Sequence, residues 1–329
     1  MMQNPRTGAS CFLTGAAGFV GGHVLRALLD AGYTVRALVR RPSESMDPRA
    51  EQVAGDLREP GRFARAVDGC RYVVHCAALY SFAPRERTDM HAVNVVGTAG
   101  LLEAAHLAGV ERAVVTSSSA TLGPITDGRL RDERDWAPDG SAHGYHHSKL
   151  DQERAAFASR VPTIALLPTA PVGPGDWKPT PTGRMILDFA RGKMIAKPPQ
   201  GGMNLVAVED VARAHVAALE RGTAGERYII AGENLMLDDL WELLAQVTGK
   251  PMPAMRIPGA LLDAIAYGDE LRCRISGAEP AVPVEGVRMS RELMFVDGSK
   301  AKRELGVAAS PVRGALERAV AWYRQNGYL

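Results

Sequence analysis

Tyr145 and Lys149 stand four residues apart in the run Tyr145-His146-His147-Ser148-Lys149, and the serine run Ser117-Ser118-Ser119 lies upstream of them. On a helix, residues four apart share a face, so a lysine ammonium can stand beside a phenol. At an assumed separation of about 4 Å and an effective dielectric of about 20, the two charges interact by roughly 4 kcal/mol. That is about three pKa units at ~1.36 kcal/mol each. A phenol that starts near ~10 is thereby brought toward neutrality, where it can give or take a proton. In this reading Tyr145 exchanges the hydroxyl proton, Lys149 lowers the Tyr145 pKa and holds a ribose, and Ser119 hydrogen-bonds the substrate oxygen. A bare Tyr-x-x-x-Lys also occurs on exposed helices that do no chemistry, so its weight depends on its company.

That company begins at Thr14-Gly15-Ala16-Ala17-Gly18-Phe19-Val20-Gly21, which follows a strand-like run and opens a helical pattern through His23, Leu25, Leu28 and Leu29. Gly15 permits a tight turn, Gly18 lets backbone amides approach a diphosphate, and Gly21 lets the helix pack close to its strand. The helix N-terminus then faces the anion. Gly15, Ala17, Gly18, Phe19 and Val20 are the expected diphosphate-side contacts, although a glycine turn by itself also fits an ordinary loop.

The second strand ends at Arg40 and Arg41, where an NAD-binding site of this kind offers a carboxylate to the ribose hydroxyls. A carboxylate repels a 2′-phosphate, whereas a guanidinium receives two of its oxygens in a fork. NADP(H) is therefore the expected cofactor with Arg40 as its contact, NAD(H) being the alternative and a solvated loop the bland reading. Asp56 and Leu57 follow a short third strand, and Cys76, Ala77 and Ala78 close the fourth with small side chains that let the adenine side lie close. Thr116 and Ser117, at the end of the fifth, are counted with these contacts.

The elements that must hold these residues are legible as apolar runs. Strands are predicted at Ser10 to Leu13, Thr34 to Val39, Tyr72 to Cys76, Ala113 to Thr116 and Thr163 to Leu167. Helical patterns lie between them at Val20 to Ala31, Pro60 to Val67, Asp89 to Ala108 and His143 to Ser159. Such alternation implies an α/β fold, a Rossmann-type doubly wound parallel sheet, because each crossover carries the chain back across the sheet. The dinucleotide-binding domain is expected over 1–170. A loop rich in proline and glycine, Pro171 to Gly183, opens a smaller, mainly substrate-binding region over 171–329. Within it, 203–232 is expected to return to the first domain, with Leu205 to Val208 as a strand of the main sheet and Asp210 to Glu220 as its helix.

Composition narrows the class. The 329 residues are 46% hydrophobic and 23% charged, enough for a substantial core. A net charge of +2 provides no broad field for nucleic acid or an anionic membrane. Cys11, Cys70, Cys76 and Cys273 form no CxxC pair and lie mostly in apolar runs, which suits reduced thiols. With no signal-peptide pattern before Gly15 and no apolar stretch of membrane-spanning length, the expected setting is soluble and cytoplasmic. His143 and His147 stand four apart but lack a third ligand at a convincing position, so no metal is expected.

With the glycine loop, the serine run and Tyr-x-x-x-Lys in order, the chain resembles the extended short-chain dehydrogenase/reductase family over nearly its whole length. Asn94-Val95-Val96-Gly97-Thr98, Leu167-Pro168-Thr169 and Val206-Ala207-Val208-Glu209-Asp210-Val211-Ala212 carry the likeness further. Pro171-Val172-Gly173-Pro174-Gly175-Asp176 and Lys178-Pro179-Thr180-Pro181-Thr182-Gly183 are most similar to the dihydroflavonol-4-reductase-like branch and to hopanoid-associated sugar epimerases. The resemblance implies that Asn94 supports the helix carrying the active site, that Pro168 lies against the nicotinamide with Thr169 beside it, and that Val35 to Arg40 is an NADP-selective strand end. It also implies a homodimer paired through the two long helices.

Departures from the family pattern sort its chemistries. Ala120 and Thr121 stand where 4,6-dehydratases carry an acidic pair, and Met203 and Asn204 where UDP-sugar epimerases tend to place a diphosphate-binding arginine. Leu122-Gly123 replaces the usual tyrosine motif, which points to a less polar cleft. Reduction of a ketone or aldehyde, or the reverse oxidation, is therefore the expected reaction. Sugar or sugar-nucleotide epimerisation and a non-catalytic NADP sensor are the alternatives. The substrate is expected among Leu79 to Pro84, Pro171 to Thr182 and Ala254 to Leu271.

Overall fold

The computed structural model describes residues 8–329 except 82, 139–143, 195, 198–199, 277–279, 281 and 283. The apolar runs of the first half become β1 (Ser10–Thr14), β2 (Thr34–Val39), β3 (Glu51–Ala54), β4 (Tyr72–His75), β5 (Arg112–Thr116) and β6 (Thr163–Pro168). Between them run α1 (Phe19–Asp30), α2 (Pro60–Phe63), α3 (Arg87–Met90), α4 (Gly97–Leu107) and α5 (Gly144–Phe157). The later strands are β7 (Ala170–Val172), β8 (Ala196–Lys197), β9 (Gly202–Ala207), β10 (Arg227–Ile230), β11 (Glu233–Met236), β12 (Met255–Arg256) and β13 (Leu293–Met294). The later helices are α6 (Pro181–Ala190), α7 (Val208–Arg221), α8 (Leu237–Thr248), α9 (Gly259–Ser276), α10 (Val284–Met289) and α11 (Val312–Gln325).

The main sheet has the order β10-β6-β5-β4-β1-β2-β3, and every neighbouring pair is parallel. Side-chain alternation explains its two covered faces. Cys11 and Leu13 of β1 pack with Val24 and Leu28 of α1 and with Val211 and Ala214 of α7. Phe12, pointing the other way, meets Phe63, Leu101, Leu102 and Ala156. The chain winds outward from β1 through β3 and then crosses to β4 on the other side of β1. In open α/β sheets a ligand crevice forms at such a reversal, outside the carboxyl ends of the strands.

A second, smaller sheet pairs β9 with β11, β13 and β7. It shares a core with α6, α8 and α11, where Phe189 and Trp241 stack with centroids 6.1 Å apart. The strand expected to rejoin the main sheet at Leu205 to Val208 is thus corrected: it is β9, the centre of the second sheet. Period and hydrophobicity mark a buried strand without saying which sheet buries it. Of the later elements, α7 packs on α1 and β10 pairs with β6, and Val206 of β9, Ala301 and Leu305 also reach the first core.

The helix predicted over Asp89 to Ala108 is also interrupted. His91–Val96 forms a wider turn between α3 and α4, a deformation frequent at functional sites. It carries Asn94, which is fully buried. Among the described residues no helix is long and apolar enough to cross a membrane.

Candidate active site

The glycine loop leaves β1 through Gly15, whose φ of +79° favours glycine. A Cβ on Gly15 would lie 2.6 Å from the Ala77 nitrogen, and one on Gly21 would lie 2.0 Å from the Gly15 oxygen. The Gly18 amide donates to the Gly15 carbonyl at 2.9 Å. Gly18 then caps α1 with no side-chain hydrogen bond, and the first turn contains no acidic residue. Ala17 and Gly18 are exposed, with Phe19 and Val20 half-buried beside them. A backbone cradle that side chains would fill, at a helix start with free amides and no competing carboxylate, fits a dinucleotide diphosphate.

Arg40 is exposed at the end of β2 and makes no hydrogen bond or ion pair among the described residues. Its charge helps to hold the nearby Asp56 carboxyl down to about 2, although the larger cause is the Arg58 hydrogen bond. Arg58 lies 2.7 Å from Asp56 Oδ2. Leu57 is corrected as a side-chain contact, because it packs into the core with Phe63 and Leu101 and leaves only its main chain for a ligand. Cys76 and Ala77 are half-buried and Ala78 is exposed after β4. Burial pushes the Cys76 thiol up to about 12, so it is a small space-filler there and not a nucleophile.

Tyr145 and Lys149 both project from α5. The Tyr145 hydroxyl hydrogen-bonds the side chain of Ser118, whose Oγ also accepts from the Ala120 amide at 3.2 Å. The serine hydrogen-bonded to the phenol is therefore Ser118, the neighbour of Ser119. Ser119 is half-buried, and its hydroxyl has no partner among the described residues. Ser117 is likewise corrected as a cofactor contact. It is buried, and its hydroxyl donates to the Glu153 carboxylate. Glu153 in turn binds the Arg227 guanidinium, which stacks 3.8 Å from the Trp136 ring centroid.

Lys149 is 2% exposed. Its ammonium donates to the Thr116 carbonyl at 2.7 Å and to Gln152 Oε1. Burial pushes it down to about 8, with Glu153 and Cys76 opposing. The expected lowering of Tyr145 by Lys149 is not what the geometry gives. Burial pushes the Tyr145 phenol up, the Glu285 carboxylate pushes it further, and only Ser118 acts downward. A buried ammonium must satisfy its donors, and here it does so through Thr116 and Gln152.

Below the lysine, Gln152 Nε2 lies 3.3 Å from His75 Nε2 and donates to Thr98 Oγ1 at 3.1 Å. His75 Nδ1 lies 2.6 Å from Thr14 Oγ1. Burial, with Lys149 adding to it, pushes His75 down to about 3, so the ring is neutral. Asn94 accepts from the Leu79 amide at 2.7 Å and donates to the Leu79 carbonyl at 3.0 Å and Ser148 Oγ at 3.1 Å. It thereby ties the loop after β4 to α5.

Pro168 is buried at the end of β6. The Thr169 hydroxyl donates to Asn204 Oδ1 at 2.8 Å, so Asn204 joins the two sheets instead of facing the cleft. Leu122 is corrected too. It packs with Leu167 and Ile229 and does not line the cleft, so it says nothing about cleft polarity. His143 and Phe82 lie outside the described residues. His147 Nε2 is 3.3 Å from Asp151 Oδ2, and no metal-binding cluster occurs among the described residues. Gln152 and Glu285 are not singled out by the sequence, and Ser118 only as a member of the serine run. Gln152, three residues beyond Lys149 on the same helix face, carried the one signal that could have been read.

A family model described as the NAD dependent epimerase/dehydratase family matches residues 11–231. A Synechocystis sp. protein named "Putative dihydroflavonol 4-reductase" is 40% identical, over 98% of this chain and 96% of its own length. Sterol demethylase protein B of Methylococcus capsulatus is 34% identical, over 96% of this chain and 99% of its own. The crystal structure of gox2253 superposes with a TM-score of 0.83 at 40% identity, covering 97% of this chain and 99% of that one.

Proposed function

Because the chain belongs to the NAD dependent epimerase/dehydratase family, we propose that it is an NADP(H)-preferring oxidoreductase that reduces a ketone or aldehyde to an alcohol, or runs the reverse. The observation that carries this reading is the hydrogen-bonded pair of Tyr145 and Ser118 above the buried Lys149, at the carboxyl ends of the parallel strands. A bound nicotinamide cofactor supplies or accepts the hydride. Gly15 to Val20 would hold its diphosphate and Arg40 its 2′-phosphate.

The rest of the chemistry belongs to the side chains. Ser118 fixes the Tyr145 hydroxyl, and burial keeps that phenol protonated, so it can donate to a substrate oxygen as that oxygen gains charge. Lys149, poised at about 8, maintains positive potential beside the strand ends. Ser119, whose hydroxyl has no partner among the described residues, would hydrogen-bond the same oxygen.

Epimerisation is the second reading, favoured by the wording of the family description. Against it, Asn204 spends its side chain on Thr169, Gly232 and Asn234, leaving no basic group there for a sugar-nucleotide diphosphate. An epimerase must oxidise and re-reduce one carbon without releasing its cofactor. NADPH and NADH consumption across aromatic, steroidal and sugar-derived carbonyls tests both points. NADPH turnover at higher kcat/KM than NADH is expected. Equal or better use of NADH removes the Arg40 assignment, and isomerisation of a UDP-sugar without added cofactor removes the reductase reading. Pairing of two copies through α4 and α5 belongs to the same proposal, and a monomeric mass by light scattering removes it.

A further inference from the structure

We propose that Glu285, carried by α10 in the C-terminal region, is a positioning residue that seats the first turn of α5 and sets the charge beside Tyr145. Its carboxylate accepts the main-chain N–H of His146. Oε1 lies 3.5 Å from His146 Nδ1, is buried, and has no hydrogen-bond partner among the described residues. Oε2 lies so close to the chain that a Cβ on Gly144, where φ is +54°, would sit 2.7 Å from it. One carboxylate thus rests on the backbone of Gly144 and His146, on either side of Tyr145.

Core packing does not account for this placement. α10 meets α9 through Val287, Leu262 and Ala266, and Glu285 takes no part in that cluster. Among the described residues the groups that face it are His146 and Tyr145 from α5, Tyr80 from the loop after β4, Arg87 from α3 and Arg288 from its own helix. His146 is held neutral by burial, which pushes it down to about 4. Neither arginine reaches Glu285 as an ion pair. Burial raises the carboxyl itself to about 7, against the His146 amide and the two arginines, so its charge is half developed near neutrality and full in the alkaline range where a phenol ionises. A carboxylate there opposes ionisation of the phenol and keeps Tyr145 a proton donor. The consequence for turnover rests on the proposed role of Tyr145.

A probe that needs neither cofactor nor substrate separates failure of this inference from failure of the reductase reading. Difluorotyrosine incorporated at position 145 ionises in a range where the fold survives, and its fluorine NMR signal reports one site. Glu285→Gln keeps an acceptor for the His146 N–H but removes the charge, so the midpoint should fall by about one unit. Glu285→Ala should fall likewise and, in the active enzyme, raise KM for the carbonyl as the start of α5 loosens. With folding checked by circular dichroism, an unchanged midpoint in either folded variant overturns the proposal. So does a fall in Glu285→Ala that is absent in Glu285→Gln, because charge would then not be the cause.

Discussion

A triple serine at a strand end offers three registers, and a side chain's direction there depends on the turn that follows. Ser118 accepts from the Ala120 amide, which fixes the phase: Ser117 turns to Glu153, Ser118 meets Tyr145, and Ser119 has no partner among the described residues. The sequence identified the cluster and could not choose its member, since the choice lies in one backbone hydrogen bond. Tyr145 and Lys149 were legible because their spacing is a helix property. The charge around them was not, because Glu285 comes from far along the chain. Ser118→Ala should lower kcat about 10- to 100-fold, the equivalent of one hydrogen bond to a charged group. Ser119→Ala should do less, and steady-state rates showing the reverse order would return the catalytic role to Ser119.

Elements of the first half were legible because a parallel sheet covered on both faces demands unbroken apolar strands, and β2 occupies the span read from the residues. β9 was placed in the wrong sheet, and β10 was missed, since its short run opens with an arginine. That arginine is the reason the element matters. Arg227 of β10 reaches Glu153 of α5, with Thr121 Oγ1 at 2.9 Å and the Asp135 carbonyl at 2.6 Å. One buried pair therefore locks α5 onto the edge strand β10 of the main sheet. Removing one partner of a buried pair strands the other charge, which costs about 3–5 kcal/mol. Glu153→Ala should lose roughly that much in urea unfolding. A loss below ~1 kcal/mol would show that solvent or neighbouring carbonyls satisfy Arg227 alone.

Among the described residues burial lowers the pKa of four imidazoles, those of His23, His75, His146 and His215. Burial pushes His75 down to about 3 and His146 and His215 to about 4, from 6.5 in each case. Their folded values are depressed, so their contribution is full above pH 6.5 and is lost as the unfolded chain takes up protons between 6.5 and 4. Glu285 acts oppositely, its value rising from 4.5 to about 7, so acid relieves its burial over that window. His23 adds to the first set, and Glu133, Asp176 and Glu292, raised by burial, add to the second, so the two sets oppose each other in overall stability. The ring signals of His75 in NMR should therefore stay constant from pH 6.5 to about 5, and a titration midpoint near 6.5 would mean that this histidine is not buried neutral. None of this was legible beforehand, because a histidine's burial depends on partners such as Thr14 and Thr116 that only the fold brings to it.

In the proposed reaction, cofactor and side chains would meet at the Tyr145 hydroxyl. The most direct measurement compares wild type with Tyr145→Phe on a carbonyl that supports NADPH consumption, together with NADPH binding by fluorescence titration. Loss of the proton donor should lower kcat by about 10²- to 10⁴-fold while NADPH affinity stays within a few fold. Wild-type turnover by the phenylalanine variant would contradict proton transfer from Tyr145 and with it the reductase assignment.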